Sequence, residues 1–232
     1  RQGGSALHRR PDGLPGAPTR RRIASHARIT PVLRHEELDA RAGGQVFLKA
    51  EVLQRTGAFK FRGAFNKIAG LDPAVRARGV VAFSSGNHAQ AVAAVAQIFG
   101  VPATIVMPSD APGTKIRGTR HYGADVRLYD RVRESREAIA AGIVQESGAT
   151  LVPPFDDPAI IAGQGTAGLE LMAQCGGALD AVLVPASGGG LAAGVSVGVK
   201  ARSPLAEIWL CEPEGFDDWG RSLRAGQIER NI

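Results

Sequence analysis

Cysteine is nearly absent: 232 residues contain only Cys175 and Cys211. The two lie far apart and without metal-ligand spacing, so they read as small core hydrophobes in a reducing compartment. Long apolar runs are also missing, because Ala, Gly and polar residues interrupt each one short of a membrane span, and no membrane partner is expected. No segment repeats at a fixed period, and there is no initiator Met, which places the expected start of translation upstream. Strong charge is missing from the body of the chain. Of the net +6, residues 1–22 supply +5 through six arginines and one aspartate, leaving +1 for everything after them. A near-neutral body lacks the basic footprint that nucleic acid requires. The leader itself has no apolar h-region, which excludes a secretory signal. Its Gly and Pro argue against the amphipathic helix of an organelle presequence, so residues 1–22 are expected to be a disordered basic tail and the protein cytoplasmic.

What remains is an ordinary globular composition, 44% hydrophobic and 22% charged, in a chain long enough for one domain or two small ones. Apolar runs at 45–51, 80–84, 103–107, 125–129, 149–152, 181–185 and 207–211 read as strands. Between and after them, 62–69, 89–99, 114–121, 134–146, 165–173, 191–201 and 217–225 read as helices. Such alternation predicts an α/β fold with parallel sheets covered on both faces, and ligands gathered at the carboxyl ends of the strands.

Three segments concentrate unusual chemistry. In Thr56-Gly57-Ala58-Phe59-Lys60-Phe61-Arg62-Gly63-Ala64, a lysine stands between two aromatics. Desolvation would lower its pKa and make it a nucleophile suited to a Schiff base with a carbonyl. The plain alternative is a helix-entry lysine whose stem packs beside Phe59 while its head reaches water. In Ser84-Ser85-Gly86-Asn87-His88-Ala89-Gln90, free amides at a helix start would favour an anion such as a substrate carboxylate; an ordinary N-cap is the alternative. In Ser187-Gly188-Gly189-Gly190-Leu191, glycines between a strand and a helix free several amides for a phosphate. The run Gly188 to Ala193 also fits G-x-G-x-x-A, with Glu212 ending the next strand, so a dinucleotide fingerprint competes. That rival explains neither Lys60 nor the Ser-Gly-Asn-His loop. A lysine, a carboxylate loop and a phosphate loop together suit an aldehyde cofactor with a phosphate handle, and pyridoxal phosphate satisfies all three.

These segments, with Ala162-Gly163-Gln164-Gly165-Thr166 between them, resemble in order the motifs of the serine/threonine dehydratase and serine racemase family, fold-type II pyridoxal-phosphate enzymes. The similarity runs from about residue 28 to the end of the chain. The resemblance implies two doubly wound α/β domains: a cofactor domain from 23–78 and 151–232, and a small substrate domain at 79–150. It implies that Lys60 carries the cofactor as a Schiff base and then serves as the base at Cα, with Phe59 against the pyridine ring. Asn87 would meet the ring hydroxyl, and Ser84, Ser85, Gly86, Asn87 and His88 would grip the substrate. Ser85 matches the serine that handles a proton on the opposite face in racemizing members. Ser187, Gly188, Gly189, Gly190 and Leu191 match the phosphate cup.

The implied reaction converts L-threonine or L-serine to a 2-keto acid and ammonia by α,β-elimination, with serine racemization as the alternative within the same chemistry. Sulfhydrylase relatives fit less well, since their loop usually has Thr where His88 stands. A homodimer is the default assembly. Glu212, Asp218 and the Phe216 carbonyl resemble the acidic stretch where some members hold a divalent cation, Mg2+ or Ca2+; a helix start with N-terminal acids is the equal alternative.

Three departures accompany the resemblance. Ser187 stands where the family often has a fourth glycine, and Pro153 where relatives often carry histidine. The chain also stops before the family's last strands and helices. A cofactor domain short of part of its sheet is expected to expose an edge and apolar surface. A catalytically inactive fold that only binds a ligand is the reading of a different class that this departure favours.

Overall fold

The computed structural model describes residues 17–229. Its centre is a parallel four-stranded sheet in the order β5-β4-β3-β6, from β3 (Val80–Phe83), β4 (Ala103–Pro108), β5 (Asp125–Tyr129) and β6 (Thr150–Leu151). Side chains alternate along these strands, which sends Val80, Ala82, Ile105 and Met107 to one face and Val81, Val106 and Tyr129 to the other. The first face packs on the alanine-rich α5 (Asn87–Phe99) and the second on α7 (Arg136–Ser147). Asp125 and Arg127 lie exposed on the edge strand β5, where charge discourages further pairing. α6 (Gly113–His121) makes the crossover from β4 to β5.

β7 (Ala181–Pro185) and β8 (Glu207–Cys211) pair in parallel around the crossover α9 (Gly190–Lys200). Val182 and Val184 face α9 and α8 (Pro158–Gln174) in a second core, while Leu183 is 70% and Trp209 58% exposed on the opposite side. Cover on both faces therefore holds for the four-stranded sheet but not for β7–β8 among the described residues. The period-two pattern of β7 supplies two apolar sides, and the described residues cover only one.

α3 (Lys60–Ala69) joins these parts by packing against both α5 and α8. Its crossing with α8 is glycine against glycine: a Cβ on Gly163 would lie 2.5 Å from the Cα of Gly63. The crossing of α8 with α9 is equally close, since a Cβ on Gly194 would lie 2.3 Å from the Ile161 carbonyl. The first hydrophobic core runs without a break from Phe61, Phe65 and Ile68 of α3 into β3, α5 and β4.

Several sequence expectations are corrected. Of the expected leader, residues 1–16 lie outside the described residues, whereas Ala17–Ile23 form a helix, α1, rather than a disordered tail. Thr19 and Ile23 are buried against α3 and α8, and Arg22 donates to Asn66 Oδ1 at 2.8 Å. Docking outweighs the weak propensity of so short a helix, and its three terminal arginines suit the negative end of the dipole. The strand expected at 45–51 shrinks to β2 (Leu48–Lys49), antiparallel to β1 (Val32–Leu33), because Glu51 leaves the ladder in a 3-10 turn to meet Thr30 and Arg62. The helix expected from residue 165 begins at Pro158, with Asp157 accepting from the Ala159 and Ile160 amides at 2.9 and 3.1 Å. Ala162 to Thr166 thus lie inside α8 and form its crossing with α3. Short helices α2 (Glu36–Ala42) and α4 (Pro73–Ala77), not anticipated, fill connections.

Candidate active site

Lys60 is the first residue of α3, and its side chain reaches the segment that follows β6. Its ammonium lies 5.3 Å from the centre of the Phe59 ring and donates to the Pro154 carbonyl at 2.6 Å. Burial lowers its pKa to about 8. The other flanking aromatic, Phe61, turns into the core against Phe65 and does not line the lysine. Two residues on, Arg62 is fully buried and forks onto two carboxylates, Glu51 at 2.8 Å and Glu170 at 2.7 Å. Burial alone would lower the guanidinium pKa, but the bonds to Glu51 and Glu170 outweigh it and hold the charge more firmly than usual. Lys49 completes the cluster at 2.7 Å from Glu170. This network pins the first turn of α3 to α8 and to the segment before it, and so sets where Lys60 stands.

The serine–asparagine loop joins β3 to α5. The Ser84 hydroxyl accepts from the Gly86 amide at 3.2 Å, which folds the loop over the helix start. Ser85 and Asn87 are exposed there, and Asn87 Oδ1 accepts from Lys115 Nζ of α6 at 2.6 Å. His88 turns the other way. Its ring is buried and Nε2 lies 2.9 Å from the Val152 carbonyl. A carbonyl only accepts, so Nε2 carries the proton, and Nδ1 is buried without a partner among the described residues. Burial first, and then the Lys60 charge nearby, push the His88 pKa down to about 4 despite the bond to Val152. Its imidazole is a neutral fastening of α5, not a group presented at the loop surface.

The glycine loop joins β7 to α9. Ser187 takes φ 47° and Gly189 φ 80°, and these two left-handed residues turn the chain from β7 into α9. The first amides of α9 lack acceptors within the helix by its geometry. A Cβ on Gly188 would lie 2.2 Å from the Phe155 ring and one on Gly189 2.3 Å from Trp219, so both positions exclude any side chain. Trp219 Nε1 donates to the Ser187 carbonyl at 2.6 Å and locks the turn from behind. Gly189 and Gly190 are buried, and the half-buried Leu191 packs into the second core.

One short segment touches all three motifs. Val152 accepts from His88, Pro154 accepts from Lys60, and Phe155 seats Gly188 and Gly190. Residues 152–155 therefore gather the lysine, the serine–asparagine loop and the glycine loop about one place. Sequence reasoning noted Pro153 only as a departure and missed this role, as well as those of Arg62, Lys115 and Trp219. Backbone carbonyls carry no residue-type signal; only the juxtaposition of two prolines and a phenylalanine was visible.

The acidic stretch leads into the last helix. Glu212 accepts from the amides of Trp219 and Gly220, both at 3.0 Å, and so caps the start of α10 (Asp218–Ala225). Phe216 is 61% exposed, and the Asp218 carbonyl accepts from the Ser222 hydroxyl at 2.5 Å. Among the described residues no group of three or more His, Cys, Asp or Glu is placed to share an ion. The helix start named as the alternative is present, with Glu212 on its first amides. A groove of about 550 Å³ between β8 and α10, lined by Trp209, Leu210, Trp219 and Leu223, belongs to the open side of β7–β8 and not to Lys60.

Among known families, the model described as "Pyridoxal-phosphate dependent enzyme" matches residues 23–231. An L-threo-3-hydroxyaspartate ammonia-lyase from Pseudomonas sp is 49% identical over 207 residues, covering 89% of this chain and 65% of that protein. The solved structure of maize serine racemase superposes with a TM-score of 0.90 at 42% identity, covering 93% of this chain and 65% of the other. The crystal structure of a T.th. threonine deaminase gives a TM-score of 0.85 at 49% identity, covering 93% of this chain and 69% of the other. The chain thus spans about 65% of the length of the curated relatives it matches. Among the described residues no helix is long and apolar enough to cross a membrane.

Proposed function

Because the chain belongs to the family of pyridoxal-phosphate dependent enzymes, we propose that the full-length protein is an ammonia-lyase acting on a small 3-hydroxy amino acid. L-Serine and L-threonine are the first substrates to test, and 3-hydroxyaspartate the third. The observation that carries this reading is the convergence of Lys60, the Ser84–Gln90 loop and the glycine loop on residues 152–155.

The residues present suit the cofactor. Three consecutive glycines put no side chain between the loop backbone and a phosphate, and the first turn of α9 offers amides and dipole to it. Pyridoxal phosphate, when bound, supplies the electron sink that lets a substrate lose its α-proton and β-hydroxyl. The chain's own residues do the rest. Amides of the Ser84–Gln90 loop hold the substrate carboxylate at the start of α5. Phe59 provides a flat apolar wall. With a pKa of about 8, roughly a tenth of Lys60 is neutral at pH 7, so it can attack a carbonyl or take a proton without an external base. The Pro154 carbonyl orients the same amine. In net terms the α-hydrogen and β-hydroxyl depart and water replaces the amine, giving a 2-keto acid and ammonia. Residues 23–78 with 151–229 form the cofactor side of this site and 79–150 the substrate side, and the working assembly is a homodimer in the cytoplasm.

The test is spectroscopic first. Full-length protein given pyridoxal phosphate should gain a long-wavelength band of the lysine–cofactor linkage that Lys60→Ala lacks. Serine and threonine should then yield keto acid. Chiral analysis of residual serine separates elimination from racemization: D-serine without keto acid would replace the lyase reading by the racemase one. A folded, soluble protein with no band would sink both.

A further inference from the structure

Lys115 has no role in the reading above, yet its ammonium holds one of the residues assigned to the cofactor. We propose that Lys115 is a positioning residue that fixes which way the Asn87 amide faces. The proposal rests on the reading of Asn87 as the residue that meets the ring hydroxyl.

An asparagine side chain presents an oxygen and an NH2 of nearly equal shape, so a half-turn about its last bond exchanges acceptor for donor. At an exposed helix start, little packing opposes that half-turn. Lys115 removes the ambiguity. An ammonium has only hydrogens to give, so it binds the oxygen end, and it does so at 2.6 Å. The NH2 end is then left for whatever lies in the site. A ring oxygen that has lost its proton can only accept, and a flipped Asn87 would set oxygen against oxygen.

The geometry that delivers the ammonium is built into the helix pair. Lys115 stands in the first turn of α6, and its carbonyl accepts from the Thr119 hydroxyl at 2.9 Å. One turn further on, a Cβ on Gly118 would lie 3.1 Å from the Gln90 side chain of α5, so the two helices meet closely. The carrier of Lys115 is thereby docked on the helix that carries Asn87.

The experiment measures pyridoxal phosphate affinity and band position, by absorbance titration of the full-length protein, for wild type, Asn87→Ala, Lys115→Met, Lys115→Arg and the double variant N87A/K115M. Circular dichroism of each unloaded protein controls for folding. Asn87→Ala and Lys115→Met should each weaken binding roughly five- to tenfold, the scale of one hydrogen bond, and shift the band in the same sense. Lys115→Arg, which keeps charge and donors, should bind within about twofold of wild type on that scale. The double variant should be no weaker than Asn87→Ala, because Lys115 acts only through Asn87. Lys115→Met that binds like wild type beside an impaired Asn87→Ala overturns the proposal, as does a double variant with the two losses added. An Asn87→Ala that binds normally removes the assignment of Asn87, and the inference falls with it while the Lys60 reading stands.

Discussion

The buried His88 ring gives a sharp test, because burial favours its neutral form. Its pKa falls from an ordinary 6.5 to about 4, chiefly through burial. That difference is worth about 3 kcal/mol of stability, at 1.36 kcal/mol per pKa step. The folded form resists the proton that the unfolded chain accepts. The stabilisation is therefore complete above pH 6.5, is lost as pH falls from 6.5 toward 4, and stays lost below that. Geometry supports the sign: a protonated ring would bury a second N–H at Nδ1, which has no acceptor among the described residues. His88→Gln isolates the effect, since the amide can still donate to the Val152 carbonyl but does not titrate. Urea unfolding of both unloaded proteins should be run at several pH values between 7.5 and 4. Carboxylates titrate alike in the two, so the difference between the curves belongs to residue 88. Wild type should lose about 3 kcal/mol relative to the variant across that interval. Parallel curves would refute the assignment of a buried neutral imidazole.

Other substitutions probe the supports of the site. Arg62→Met leaves the half-buried Glu51 and Glu170 without their shared partner and should cost about 3–5 kcal/mol in denaturant unfolding; a loss under about 1 kcal/mol would show the network to be dispensable. Arg62→Lys should recover little, because a single ammonium cannot fork onto both carboxylates. Gly194→Ala drives a methyl toward the Ile161 carbonyl, a backbone atom that cannot swing aside, and should lower stability by about 1–3 kcal/mol in thermal melts. Ser187→Gly relieves a left-handed residue worth about 1–2 kcal/mol of strain against about 0.5–1 kcal/mol of added chain entropy. It should leave the protein unchanged or about 1 kcal/mol more stable, whereas clear destabilisation would mean that the hydroxyl holds the turn.

Much of this architecture was legible because local pattern and tertiary environment agree. The strands at 125–129, 181–185 and 207–211 lie where their apolar alternation put them. The glycine loop was legible for a similar reason, since consecutive glycines after a strand have few structural excuses. α8 was read seven residues short, although Asp157 followed by Pro158 is a cap and first-turn pair that marks a helix start. Gly163 and Gly165, which read only as part of a motif, serve helix crossings through their smallness. α1 was hidden by the Gly and Pro of the residues before it, and only docking of Thr19 and Ile23 makes it a helix. Arg62 gave no local hint at all: its carboxylates come from Glu51 and Glu170, and nothing in either neighbourhood announces the other. The two acceptors that matter most to Lys60 and His88 are main-chain carbonyls, which any residue type could have supplied.

The glycine-to-glycine crossing of α3 and α8 has a consequence for how the molecule comes into being. Gly63 and Gly163 lie 100 positions apart, and closing a loop of that length from an open chain costs about 4 kcal/mol before any contact rewards it. Within the four-stranded sheet β3, β4 and β5 are joined in turn by single-helix crossovers, so this part can condense first and shorten that loop. During synthesis, Lys60 leaves the ribosome long before the Pro154 carbonyl and the α8 glycines that will hold it. Until they arrive it is an ordinary solvated amine, and the burial that lowers its pKa comes only once residues far down the chain have been made.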